Sequence, residues 1–153
     1  MNLDTLNSMP VADFAEVLPH APGWWNGRLV SYVQEEGSDK GGDRVVVTLF
    51  FTAEEPLEGQ DASKIQKSRR YAHRVRVYQP EDTKRITEIG KTLRPDAPTP
   101  SELKARGEAG GTMETYLDSL INAPARITLK VDEWYLTNKQ KEVLIVDRIR
   151  RAA

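Results

Sequence analysis

Five segments of the chain have the hydrophobic pattern of β-strands, either alternating with polar residues or dense in β-branched and aromatic side chains. They cover residues 24–36, 44–52, 69–78, 125–136 and 141–150. The glycine-rich loop GSDKGGD joins the first two segments, which predicts a hairpin. In the third segment one parity holds Tyr71, His73, Val75 and Val77. The other holds Arg70, Ala72, Arg74, Arg76 and Tyr78, which predicts a half-buried strand with a basic outer face.

The stretch between the third and fourth strand segments has helical periodicity. Pro80 suits the first position of a helix, and Thr99 with Glu102 forms a capping-box pattern that opens a short helix ending at Gly107. A further helix is predicted before Pro124, and a weak amphipathic stretch runs from Val11 to Leu18, including Phe14 and Ala15. The predicted fold is therefore mainly β (α+β): a five-stranded OB-like Greek-key barrel with a helical insertion between strands 3 and 4. Residues 1–22 are expected to be an N-terminal extension of one OB-like domain, residues 23–153.

Charge is distributed unevenly along the 153 residues, although Lys plus Arg number 22 and Asp plus Glu number 23. Residues 1–60 hold three basic and ten acidic side chains, whereas residues 61–79 hold six basic and one acidic. Exposed charges are screened beyond about 10 Å, so the local potential decides what a surface attracts. The segment SKIQKSRRYAHRVRVYQ is therefore the candidate binding segment.

Composition narrows the class of protein. With 39% hydrophobic and 29% charged residues, a folded globular domain is expected, and no apolar run approaches a membrane span of roughly 18 residues. The first twenty residues have no basic region of the secretory type, and the chain has no cysteine. These features predict a protein of the cytoplasm, which would be the host cytoplasm if a phage encodes it.

Enzymatic chemistry has little support in the sequence. His20 and His73 have no metal-ligand spacing, and no serine lies in a nucleophile-elbow context. Adjacent acids such as Glu35 and Glu36 would point to opposite faces of a strand. No catalytic residue, metal or cofactor is expected.

Basic residues that interleave with aromatic ones favour binding of single-stranded nucleic acid. Such binding needs cations along the phosphate backbone and flat rings on which bases stack. The candidate binding residues are Trp24, Arg28, Tyr32, Lys67, Arg69, Arg70, Arg74, Arg76, Tyr78, Lys130 and Trp134. Trp134 is expected on the outer face of the fourth strand, with Lys130.

The succession LPHAPGWWNGRLVSYVQEEGSDKGGDRVVVTLFFTAEEPLEG resembles the opening of small phage-type OB-fold single-stranded-DNA-binding proteins. The matching residues are Pro22, Gly23, Trp24, Lys40, Gly41, Pro56, Leu57 and Gly59. The later YLDSLINAPARITLKVDEW and KEVLIVDRIR are similar to the ending of that family. The resemblance implies sequence-independent binding of single-stranded DNA in phage replication or recombination. It also implies a homo-oligomer and contacts with replication or recombination proteins.

A second interpretation remains open. The same basic face would suit an acidic protein surface, as in an inhibitor or accessory factor of a phage or mobile element. An OB-like barrel supports either role, so the fold does not decide between them. The charge imbalance also leaves two placements open for the acidic N-terminal segment: elsewhere on the barrel, or docked on the basic face of a neighbouring subunit.

Overall fold

A computed structural model describes residues 1–13, 18–57 and 65–152. The strands are β1 (Gly23–Asp39), β2 (Gly42–Pro56), β3 (Arg70–Val77), β4 (Pro124–Val131) and β5 (Leu144–Arg151). The helices are α1 (Leu3–Asn7), α2 (Lys84–Leu93), α3 (Pro100–Arg106), α4 (Met113–Ser119) and α5 (Glu133–Lys139). Short 3-10 turns occupy Val11–Asp13, Pro80–Thr83 and Gly107–Gly110.

The strands form one antiparallel sheet in the order β3-β2-β1-β4-β5, with α2, α3 and α4 between β3 and β4 in the chain. The prediction of a mainly β, α+β fold with five strands is confirmed. Strand β1 is central and long: it pairs with β2 from Trp25 to Asp39 but with β4 only from Gly23 to Arg28. Its outer part, residues 34–39, is exposed and pairs with β2 on one side.

The prediction that the fourth strand continues to residue 136 is wrong. Strand β4 ends at Val131, and the side chain of Asp132 accepts a hydrogen bond of 3.0 Å from the backbone N–H of Trp134, which caps the first turn of α5. The helix ends at Lys139 and is followed by the C-cap residue Gln140, which has the left-handed φ of 49°. Trp134 therefore lies on a helix between β4 and β5 and not on the outer face of a strand.

The core lies on one face of the sheet and is closed by α2 and α4. Its fully buried side chains include Trp25, Leu29, Leu49, Phe51, Ile86, Ile89, Leu117 and Ile127. At Gly27 β1 approaches β2 so closely that a Cβ atom would overlap the backbone carbonyl of Thr52. Glycine is required there because the obstacle is backbone, which cannot move as a side chain can.

The two edge strands, β3 and β5, come together across a seam. The Nδ1 of His73 donates a hydrogen bond of 2.9 Å to the backbone carbonyl of Val146. Burial lowers the pKa of His73, so the neutral ring makes this contact at physiological pH. Within the residues that the structure describes, no ladder of backbone hydrogen bonds pairs β3 with β5, so the seam is open enough to hold a cleft.

The N-terminal region is attached to the sheet through His20. Its Nε2 donates to the carbonyl of Ala53 at 2.7 Å, and the hydroxyl of Tyr71 donates to its Nδ1 at 2.7 Å. Leu18 also forms a parallel bridge with Ile65. Of the predicted amphipathic stretch, Phe14 and Ala15 lie outside the described residues, and Val11–Asp13 is a 3-10 turn.

Candidate functional site

The outer face of β3 carries the predicted arginines. Arg70, Arg74 and Arg76 are exposed, whereas Tyr71 and Val75 are buried in the core. The predicted alternation of this strand is confirmed. Since residues directly opposite each other on neighbouring strands share a face, the arginines border the outer face of β2. Their partners there are Thr52, Thr48 and Val46.

A cleft of about 570 Å³ lies along the seam and is bounded by β3, β4, β5 and α5. We call it the β3–β5 cleft. Four predicted binding residues line it: Arg74 and Arg76 from β3, Lys130 from β4 and Trp134 from α5. Trp134 has 56% of its surface exposed, and its ring meets that of Tyr135 edge to face, with centroids 5.1 Å apart. The cleft thus combines three cations with an accessible indole.

Acidic groups reduce the positive charge of the cleft only in part. The Nζ of Lys130 lies 3.4 Å from Asp147, and Asp132 also lines the cleft while its side chain caps α5. Neither Arg74 nor Arg76 forms an ion pair with an acid in the described part of the chain. The β3 wall of the cleft is therefore its cationic side.

A second cleft of about 500 Å³ continues along the same seam towards the start of β3. Arg69, Arg70 and Lys141 line it. The guanidinium of Arg69 lies 5.7 Å from the ring centroid of Tyr71, and Arg70 donates to the hydroxyl of Ser31 at 3.1 Å. Lys67 is exposed in the turn that precedes β3. The basic segment thus contributes Arg69 and Arg70 to this second cleft, as it contributes Arg74 and Arg76 to the β3–β5 cleft.

Three other predicted residues are engaged elsewhere. Arg28 pairs with Glu54, and its Nε lies 2.9 Å from the carboxylate. The hydroxyl of Tyr32 donates to Asp118 at 2.7 Å, and this bond raises the pKa of Tyr32 to about 12.

Tyr78 is the third of these residues. Its hydroxyl donates to Asp39 at 2.7 Å, and its ring packs so closely on Gly41 that a Cβ there would lie 2.8 Å from the nearest ring carbon. Tyr78 therefore supports the tip of the β1–β2 hairpin. None of Arg28, Tyr32 and Tyr78 lines the β3–β5 cleft.

Trp24 also lies outside the β3–β5 cleft. It is half-buried on β1, and the guanidinium of Arg150 from β5 lies 5.6 Å from the centroid of its ring. A base could not stack on the side of the ring that Arg150 covers. Trp24 therefore belongs to a different part of the surface from Trp134.

Two side chains of this surface, Phe50 and Arg150, are not among the residues predicted from the sequence. Phe50 lies opposite Ala72 on the arginine-bearing face of the sheet and is partly exposed. Its strand is apolar at both parities, so the alternation is weak there, but Phe50 shares its parity with Thr48 and Thr52. That parity is the signal that could have placed its ring on the outer face.

No protein-family model and no curated protein matches this chain. In the part of the chain that the structure describes, no helix has the length and apolar character needed to cross a membrane. The described residues also contain no group of three or more His, Asp or Glu side chains placed to hold a metal ion.

Proposed function

We propose that the protein binds single-stranded DNA without marked sequence preference, along the β3–β5 seam. The observation that carries the proposal is the convergence of Arg74, Arg76, Lys130 and Trp134 on one cleft. These residues come from segments more than fifty positions apart in the chain, and they combine the cations and the exposed ring that such binding requires.

The strand order supports a finer description of the fold as an OB-like barrel. OB-folds are five-stranded, partly open Greek-key barrels that bind oligonucleotides on the face of strands 2 and 3 and on the loop between strands 4 and 5. Here the contact between His73 and Val146 brings β3 to β5, and α5 lies between β4 and β5. Arg74, Arg76 and Trp134 thus belong to the same elements that OB-folds use, and Lys130 adds a cation from β4.

Each group in the cleft has a distinct role in this proposal. Arg74 and Arg76 neutralise phosphates, because a guanidinium presents a planar pair of donors to phosphate oxygens. Lys130 adds a cation on the opposite wall, and Trp134 stacks on a base from the α5 side. Stacking tolerates any base, since every base has a π-face. A role in phage replication or recombination belongs to the same proposal and rests on the family resemblance.

Charge reversal tests the proposal. Arg74→Glu combined with Arg76→Glu should abolish binding to oligo-dT in an electrophoretic titration, while wild-type protein binds single strands more tightly than duplex DNA. The matched control is Lys104→Glu with Arg106→Glu, the same change in charge at exposed positions of α3 that do not line the cleft. The control should bind as wild type does. Equal loss in both variants would indicate a general charge effect and contradict the site.

The second candidate function is a protein-interaction module. It is favoured by the exposure of Leu136, which is 50% exposed and lies two residues from Trp134 on α5. An exposed apolar side chain near a basic cleft suits contact with an acidic protein surface. Failure of the wild-type protein to bind any nucleic acid at low salt would favour this second function over the first.

A further inference from the structure

The outer face of β4 and β5 carries two arginines directly opposite each other. Arg126 of β4 pairs in register with Arg150 of β5, so both side chains project from the same face. Like charges at such a pair repel, and this destabilises the sheet unless a counter-charge is present. No acid in the described part of the chain forms an ion pair with either residue.

In the described part of the chain, Arg126 lacks a hydrogen-bond acceptor for its Nε as well as a counter-charge. Its Nε is buried, and no acceptor among the described residues forms a hydrogen bond with it. Buried donors in folded proteins are almost always paired, so an orphaned guanidinium nitrogen needs an explanation. An anion bound between Arg126 and Arg150 would supply the counter-charge that the facing arginines lack.

Arg150 is held in place by an aromatic ring. Its guanidinium lies 5.6 Å from the ring centroid of Trp24, a distance at which cation–π attraction operates. Stacking on a ring occupies the flat side of a guanidinium and leaves its N–H edge directed outward. That edge fits two oxygens of a phosphate group.

The arginine pair is connected to the β3–β5 cleft by a row of side chains on β4. Lys130, Thr128 and Arg126 share the outer face because alternate residues of a strand point the same way. Lys130 lines the cleft, and Arg126 lies four residues away, about 13 Å along the strand. A row of outward-facing side chains therefore leads from Lys130 in the cleft to the arginine pair.

We infer that the arginine pair Arg126 and Arg150 is a second phosphate-binding site, which holds the backbone of a single strand longer than the cleft. This inference rests on the proposed function of the cleft. A strand that fills the cleft continues over β4 and β5, where the two guanidiniums bind its phosphates. Short strands contact the cleft alone.

The test compares two lengths of oligo-dT, about 6 and about 25 nucleotides, which lie below and above the upper range of site sizes for one OB-fold. The variants are Arg150→Gln, at an exposed position, and Arg126→Gln combined with Arg150→Gln. For the long strand at 50 mM salt we expect the double variant to lose about tenfold to fiftyfold in affinity. The log–log salt slope should become shallower by about 1.4, which is 0.7 for each of two phosphates.

The short strand separates this site from the cleft. Its affinity should be unchanged in both variants, and Lys104→Gln with Arg106→Gln, the control on α3, should leave both strands unaffected. Wild-type affinity for the long strand in the double variant would overturn the inference and leave the cleft proposal standing. Equal losses for both strands would overturn it as well, because they would place the pair within the cleft site or the fold. No binding of either strand by wild-type protein would refute the proposed function itself.

Discussion

Trp134 gives the most direct test of how the cleft would bind a strand. Replacing it with alanine removes the exposed indole, while the cap of α5 stays intact because Asp132 bonds the backbone N–H of residue 134. The indole is 56% exposed, and its described aromatic contact is the edge-to-face pair with Tyr135. Such a pair stabilises by about 0.5–1.5 kcal/mol, so the fold should survive the substitution.

The expected loss of binding is larger than this cost to the fold. Stacking of a base on an aromatic side chain is worth about 1–3 kcal/mol, which corresponds to about fivefold to 140-fold in Kd. The assay is fluorescence anisotropy with labelled oligo-dT, accompanied by intrinsic tryptophan fluorescence. Trp25 is only 1% exposed and Arg150 covers one side of Trp24. Most of the quenching by the short oligo-dT, which contacts the cleft alone, should therefore come from Trp134 and disappear in Trp134→Ala.

The matched control for this substitution is Leu136→Ala. Leu136 lies on the same helix and is 50% exposed, but it does not line the cleft. It should leave both affinity and quenching unchanged. The stacking role of Trp134 is refuted if Trp134→Ala keeps the wild-type Kd and the full quench. A comparable loss in Leu136→Ala would mean that α5 acts as a whole and that the indole has no special part.

Two further predictions concern the fold. Gly27→Ala should lower the free energy of unfolding in urea by about 1–3 kcal/mol, because its methyl group would overlap the Thr52 backbone. The control is Gly37→Ala on the same strand, whose methyl group meets only a flexible side chain and should lower the free energy of unfolding far less. Equal stability of the two variants would contradict the packing described. Burial lowers the pKa values of His20 and His73 below 6.5, so below pH 6.5 the unfolded chain binds protons before the folded one does. The free energy of unfolding should therefore fall as the pH is lowered from 7.5 to 5. Gln at both positions should flatten this dependence, and an unchanged slope would count against the buried neutral rings.

The sequence was sufficient to predict the strands and the exposed arginines of β3. Each of these depends on local periodicity, such as the alternation of buried Val75 with exposed Arg74 and Arg76. The partners of Arg28 and Tyr32 could not be predicted. Glu54 and Asp118 reach them across the fold, and such contacts depend on strand register and helix position, which periodicity does not reveal.

The helix that carries Trp134 could have been predicted more accurately. In VDEWYLTNK the aromatic residues suit a strand, but Asp132 is a favourable N-cap and Glu133 is an acid in the first turn. The last pair of β4 with β5 is Val131 with Leu144, so the strand pairing ends just before Asp132. The capping residue therefore begins a helix there in spite of the aromatic residues that follow. The arginine pair on β4 and β5 could not be predicted from the sequence either, because it depends on which residues face each other in the strand register.

The projecting part of β1 affects how molecules of this protein meet in solution. Residues 34–39 pair with β2 on one side, and an open strand edge of this kind is a template for joining another chain into a continuous sheet. Glu35 and Glu36 place carboxylates along that margin. Like charges on two such margins repel at neutral pH, and we expect this repulsion to oppose edge-to-edge aggregation.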